Sequence, residues 1–243
     1  MKQAHENDRI AVVTGADRGL GYALAMGLLE RGWRVYAGQY MPEWPALGEA
    51  LPQYEDRLIL VPLDVGDEAS VQEAAAAVAE REERVDLLVS NAGISGERQT
   101  LGEGLDYAAM AQAYNVNALG GLRLVEAFLP LTDASTLKRL CFVSSEAGCI
   151  ALAHREGGLG YGMSKTALNM IVKLLFNSLR PEGYTFRLYH PGWIRGYMSG
   201  TKGMRADMEP EVAAVPALAY FIDAREDEDR LVLIDYLGGE WPF

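Results

Sequence analysis

Residues 9–21 pass from an apolar, β-branched run into a glycine-rich turn, RIAVVTGADRGLG, and then into the helix-like GYALAMGLLERG. A strand that leaves through such a turn and continues as a helix constrains the fold strongly. The helix must cross back over a sheet, and the next strand must then lie parallel to the first. The pattern recurs along the chain. Candidate strands are residues 9–14, 33–38, 57–63, 85–90, 137–145, 184–190 and 231–235, several of them apolar at consecutive positions. Such runs suit strands buried on both faces. Between them lie helical segments: one ending at Gly32, one at 67–83 opening on acidic residues, one at 105–130 stopping at Pro130, and one at 161–180 stopping before Pro181. The acidic start suits the positive end of a helix dipole. The expectation is an α/β fold, a doubly wound parallel sheet in three α/β/α layers. It forms a single domain over 1–243.

Composition narrows the partners. Twenty-two Lys and Arg against 34 Asp and Glu give a net charge of −12. Nucleic acids and anionic membranes need concentrated positive charge, so neither is expected as a partner. The N-terminal MKQAHENDR lacks the apolar core of a signal peptide, no run is long enough to span a bilayer, and two cysteines are too few for a disulfide framework. A reduced, cytoplasmic setting follows as an expectation. Three histidines and two cysteines show no ligand spacing, and no metal is expected. The acidic AREDEDR at 224–230 reads as a solvated loop, and the Gly- and Met-rich 195–210, with no clear strand, as a flap.

The spacing G-x-x-x-G-x-G in 15–21 has a chemical use. Gly15 permits the turn out of the strand, Gly19 lets backbone approach a pyrophosphate, and Gly21 lets helix and sheet pack closely. The helix N-terminus then offers N–H groups and a positive dipole end to phosphates. Gly15, Asp17, Arg18, Gly19, Leu20 and Gly21 are therefore the candidate cofactor contacts of this turn. A ligand-free βα turn is the plainer alternative. An acid at the end of the second strand would bond the ribose 2′-OH of NAD; here Gln39 stands there. Arg18 offers a planar fork to a 2′-phosphate, or it is a solvated surface residue. Both observations favour NADP(H) over NAD(H).

YGMSK places Tyr161 and Lys165 four residues apart, on one helix face, just after the strand end FVSS. A tyrosine serving as an acid near neutral pH needs its pKa drawn down from about 10, and a nearby lysine cation does that. A serine at the strand end can hydrogen-bond the substrate oxygen. A surface tyrosine one turn from a lysine is the plainer alternative.

Taken together, these motifs resemble the short-chain dehydrogenase/reductase family over nearly the whole chain, and its carbonyl-reductase-like members in SKTALN and HPGW. The resemblance implies a Rossmann fold and an adenine contact at Asp64 and Val65 (LDV). It implies a cofactor contact at Asn91, Ala92 and Gly93 (NAG), and a helix asparagine at Asn117, rather than Asn115, in VNALG. It further implies a catalytic serine at Ser145, with Ser144 as the register alternative, and nicotinamide cover from Pro191, Gly192 and Ile194. Tyr161 and Lys165 would also touch the cofactor. Tyr161 would pass the proton to or from the substrate oxygen, Lys165 would hold the nicotinamide ribose, Ser145 would orient the oxygen, and Asn117 would support a water-linked relay. A small carbonyl or alcohol substrate and a homodimer or homotetramer are carried over with the family.

Two departures stand out. Gly196 occupies the place where the family often has a threonine for the carboxamide, and the Ser145–Tyr161 loop is slightly long. His154 in that loop reads as an exposed histidine and His190 as a structural one. Trp193 and Tyr197 would line an apolar pocket, or Trp193 would pack the flap on the core. Two rivals remain. One is a dinucleotide-binding regulatory or scaffold protein without significant turnover. The other is an extended-type sugar-nucleotide epimerase or dehydratase, disfavoured by the TGxxxGxG spacing and the short C-terminal region.

Overall fold

The computed structural model describes residues 9–96, 99–198 and 202–243. The apolar runs become strands β1 (Ile10–Val13), β2 (Arg34–Gln39), β3 (Leu58–Pro62), β4 (Leu87–Ser90), β5 (Arg139–Val143), β6 (Thr185–His190) and β7 (Leu233–Asp235). A short β8 (Glu240–Trp241) closes the edge. Among the described residues they form one sheet in the order β3-β2-β1-β4-β5-β6-β7-β8, parallel except for the β7–β8 pair. β1 and β5 are buried along their whole length, because helices cover both faces. The alternation of a strand divides them: Ile10 and Val12 face one core, Ala11 and Val13 the other. The first core holds Leu124, Phe128, Val172 and Phe176 and includes α3 (Glu68–Ala79), α5 (Gly120–Asp133) and α6 (Leu159–Leu179). The second holds Leu24, Leu28, Leu47 and Phe221 from α1 (Gly19–Glu30), α2 (Ala46–Tyr54) and α7 (Pro210–Ile222).

Several expectations need correction. The 105–130 segment is not one helix. It is α4 (Tyr107–Tyr114), a π-helical turn over Asn115–Leu119, and then α5, which runs through Pro130 to Asp133. Proline removes the N–H that Glu126 would receive, but both residues are exposed, so water can serve the freed carbonyl. Leu131 and Thr132 stay buried, and Thr132 Oγ1 donates to the Phe128 carbonyl, which holds the last turn on the core. Helices α2 and α7 are not among the segments expected from sequence; each carries a proline inside it, Pro52 and Pro216.

The 224–230 segment is not simply a solvated loop. Its Glu228 accepts from Arg187 Nη2 at 2.6 Å and Arg139 Nη2 at 3.2 Å. Those arginines sit on neighbouring strands and are nearly fully buried, so a carboxylate must reach them. Of the expected flap, residues 199–201 lie outside the described residues, as do the N-terminal octet and His5. At its base Ile194 pairs with Met208 as an isolated β-bridge. No helix of the described residues is long and apolar enough to cross a membrane.

Strand order reverses between β1, whose chain continues to β2, and β4 beside it. In an open parallel sheet that reversal opens a crevice at the carboxyl ends of the strands. The predicted site residues gather there.

Candidate active site

The glycine turn is built for close approach. A Cβ on Gly21 would lie 2.0 Å from the Gly15 carbonyl oxygen and 2.5 Å from Asn91 Nδ2. Gly19 has φ +59°, and a Cβ there would meet nothing within 4 Å, so the turn at Gly19 is open to a ligand. Arg18 precedes α1 in extended conformation with no side-chain cap, leaving the first-turn N–H groups without that partner. Thr14 fastens the turn to the loop after β4: its Oγ1 accepts the Asn91 and Ala92 N–H groups, each at 3.0 Å. Asn91 Nδ2 donates back to the Thr14 carbonyl at 2.9 Å. Leu20 packs against the second core.

The other cofactor candidates divide by what their side chains do. Gln39 ends β2 as expected. The Asp17 carboxylate is committed to the backbone, accepting the Tyr40 and Met41 N–H groups at 3.0 Å each. Arg18 lies 4.9 Å from the Trp44 ring and 5.5 Å from the Tyr197 ring. Asp64 turns into its own loop, with Oδ1 accepting Gly66 N–H at 2.8 Å, and the Val65 side chain is buried in the first core.

Tyr161, Lys165, Ser145 and Asn117 come together from three places in the fold. Tyr161 and Lys165 stand on α6, with Lys165 Nζ 5.8 Å from the tyrosine ring centroid. Ser145, just past β5, stands beside the Tyr161 hydroxyl and pulls its pKa down, while its own Oγ–H goes to Glu146 Oε2 at 2.6 Å. Ser144 points away, donating to Asn169 Oδ1 at 2.6 Å. Asn117 lies in the π turn and bonds both ways to the Ile94 backbone at 2.8 Å, and its Nδ2 also donates to Ser164 Oγ at 2.9 Å. Asn115 faces elsewhere, donating to the Gly66 carbonyl and accepting from Arg123. Gly93 keeps the space between the pair open. A Cβ there would lie 3.1 Å from Asn117 Oδ1 and 3.7 Å from Lys165 Nζ. Single-turn π insertions of this kind recur at functional sites.

Burial dominates the electrostatics. It lowers Lys165 from 10.5 to about 8; the ammonium donates to the Val143 carbonyl at 3.0 Å and forms no ion pair among the described residues. Burial also pushes Tyr161 above its ordinary value, against the Ser145 hydrogen bond and the Arg155 charge, which pull it down. The depression of the tyrosine pKa expected from the sequence is thus absent in the protein alone. At this distance the lysine does not outweigh desolvation of the phenolate.

Glu146 is the site residue that sequence reasoning missed. It follows the serine directly, accepts Ser145 Oγ–H at 2.6 Å, pairs with Arg155, and stands 3.6 Å from His190 Nε2. A glutamate placed between the strand-end serine and AG is the signal that could have found it. His190 is buried and held near pKa 4, hence neutral at pH 7, and its ring meets Trp241 edge-on. Trp241 in turn donates to Asp235, so the C-terminal hairpin braces the strand that delivers HPGW. Pro191 is buried, and Gly192, at φ +80°, fits beneath Tyr236. Gly196 N–H donates to the Ile194 carbonyl at 2.7 Å. His154 is exposed, and so is Trp193, at 62%, which removes the reading of Trp193 as a core-packing residue. Among the described residues no three His, Cys, Asp or Glu groups gather as metal ligands.

This geometry coincides with a family match. Residues 9–206 match the family described as short chain dehydrogenase. The chain belongs to the short-chain dehydrogenase/reductase family. Relatives of this dehydrogenase/reductase include the C-signal protein of Myxococcus xanthus, 39% identical over 159 residues (65% of this chain, 93% of the relative). An uncharacterised oxidoreductase of Schizosaccharomyces pombe is 31% identical over 235 residues, covering 96% of this chain and 92% of the relative. Among solved structures, NADPH-bound carbonyl reductase from chicken fatty liver superposes with TM-score 0.86 at 27% identity, covering 97% of this chain and 94% of that one. A carbonyl reductase from Pseudomonas aeruginosa PAO1 superposes at 0.82 with 29% identity, over 97% and 100%. The chain is thus an oxidoreductase of this family with the Rossmann fold.

Proposed function

We propose that this oxidoreductase moves a hydride between a nicotinamide cofactor, NADP(H) in preference to NAD(H), and the carbon of a small carbonyl or alcohol. The observation that carries the reading is the convergence of Tyr161, Ser145 and Lys165 beside the glycine turn at the switch point of the sheet. When bound, the cofactor supplies or accepts the hydride.

The chain's own residues do the rest. The glycine turn and the uncapped start of α1 receive phosphates. Lys165, a buried cation without an anionic partner among the described residues, suits a polar ligand in the cleft. Tyr161 Oη gives its proton to the carbonyl oxygen in reduction and takes it back in oxidation. Ser145 Oγ holds that oxygen, and Asn117 with Lys165 returns the proton from solvent through the space beside Gly93. Gln39 in place of an acid, and an Arg18 with no carboxylate partner among the described residues, support the preference for NADP(H). The NADPH-bound carbonyl reductase similar to this chain agrees with it. In this reading residues 9–145 cradle the cofactor and 146–243 supply the proton chemistry within a single domain. The exposed Leu122, Met163, Met170 and Leu174 on α5 and α6 support self-association.

Tyr161→Phe tests the mechanism. NADPH affinity should stay within about twofold, while turnover of a carbonyl panel falls by about 10²-fold or more. Unchanged turnover would end the acid–base role. The second reading, a dinucleotide-binding regulatory protein, draws on the likeness to the relative named C-signal. NADPH binding with no turnover across the panel would favour it.

A further inference from the structure

Arg18 is unusual among the cations of this chain. Its one hydrogen-bond partner among the described residues is Met41 Sδ, a weak acceptor, and it forms no ion pair there. A guanidinium has five N–H donors, so nearly all of its capacity is uncommitted. The nearest acid in sequence, Asp17, is held by the Tyr40 and Met41 backbone. Instead the guanidinium sits over two rings that meet edge-on, Trp44 and Tyr197, with centroids 5.0 Å apart at 70°.

Three distant stretches therefore meet at one point. Arg18 comes from the glycine turn, Trp44 from the β2–α2 connection, and Tyr197 from the segment after β6. Asp17 tethers residues 40 and 41, just before Trp44. Beside Tyr197, the Met198 carbonyl accepts the Ser95 hydroxyl at 3.3 Å, so the same segment also touches the loop after β4. Residues 197–198 thus contact both sides of the crevice.

We infer that Trp44 and Tyr197 form an aromatic latch that orders Arg18 for a 2′-phosphate and ties the segment covering the site to the phosphate end of the cleft. The inference rests on the NADP reading above and extends it to two positioning residues. Rings on a guanidinium attract the cation and restrict its rotamers while leaving its N–H edge usable. An arginine ordered in advance loses less freedom when the phosphate arrives, so affinity for the phosphorylated cofactor rises. Because linkage is reciprocal, a phosphate on Arg18 equally favours the position of Tyr197. NADH, which lacks the phosphate, gains almost nothing from the latch.

The test is an equilibrium fluorescence titration with NADPH and with NADH. It compares the parent chain, Tyr197→Ala, Tyr197→Phe and Arg18→Ala, with thermal unfolding confirming that each is folded. The ratio of the two dissociation constants is the readout. Tyr197→Ala should cut the parent's NADPH preference by about three- to tenfold, the range of a partly desolvated cation–π contact. Its NADH affinity should stay within about twofold, and Tyr197→Phe, which keeps the ring, should keep the parent ratio. Equal weakening of both cofactors by Tyr197→Ala, no change in the ratio, or a Phe variant that behaves like Ala overturns the latch. An Arg18→Ala that erases the preference while Tyr197→Ala leaves it intact overturns the latch alone. A parent chain without NADPH preference overturns the cofactor reading and the latch together.

Discussion

Replacing Lys165 with methionine should make the protein more stable and inactive at once. The lysine is buried, its ammonium reaches only the Val143 carbonyl, at 3.0 Å, among the described residues, and burial lowers it from 10.5 to about 8. Between those values the unfolded chain holds a proton that the folded chain has released, so stability rises with pH across that window. The gap amounts to about 3 kcal/mol, and at pH 7, where the folded lysine is charged, the whole penalty is in force. Methionine has similar length, no charge, and loses one hydrogen bond of about 1 kcal/mol. The variant should therefore be about 2 kcal/mol more stable at pH 7, raising Tm by about 4–8 °C for a chain of this size. Urea unfolding of the cofactor-free proteins at pH 7, 8, 9 and 10 measures it. The advantage of the variant should shrink steadily above pH 8 and be nearly gone by pH 10. A difference that stays constant across this range, or a variant less stable at pH 7, would refute the reasoning. Such an exchange of stability for activity is expected where a charge is buried for function.

Two other substitutions address the glycine turn and the core. Gly21→Ala puts a methyl group 2.0 Å from the Gly15 oxygen, so the turn must shift. NADPH binding should fall at least tenfold and stability by about 1–3 kcal/mol, read by titration and urea unfolding; parent-like binding would show that the turn is not the phosphate cradle. Glu228→Gln leaves Arg139 and Arg187 without their carboxylate and should cost about 3 kcal/mol at pH 7. Burial raises the Glu228 carboxyl, but the Arg187 hydrogen bond and the neighbouring charges hold it, on balance, below its ordinary 4.5. Its contribution is therefore complete above about pH 4.5 and fades as pH falls through the lower folded value. Acid unfolding of the parent should carry that loss, and the Gln variant should not.

How far the chain was legible in sequence depended on whether a residue's partner was near it. The glycine turn, the strand runs and the Tyr161–Lys165 spacing are local patterns, and backbone geometry alone converts them into structure. The choices of Asn117 over Asn115 and of Ser145 over Ser144 rest on motif register; in the structure Asn117 bonds Ser164 on α6, whereas Ser144 is taken up by Asn169. The unbroken helix to Pro130 did not survive. The helix carries Pro130 on its solvent face, where water can serve the carbonyl it leaves free, and a π turn leaves no mark in hydrophobic spacing. Glu228 was misjudged because its partners lie 41 and 89 residues away in sequence.

The sequence by itself determined that strands and helices alternate, that the first crossover opens on a phosphate-sized turn, and that a tyrosine and a lysine share a helix face near a strand-end serine. Periodicity and steric freedom are properties of a few neighbouring residues. Only the tertiary structure decided that Lys165 is a buried cation near pKa 8, that burial holds Tyr161 high, and that Glu146 grips the serine. The meeting of Arg18, Trp44 and Tyr197 was decided there too. Desolvation and long-range contact exist only once distant segments have excluded water from between them.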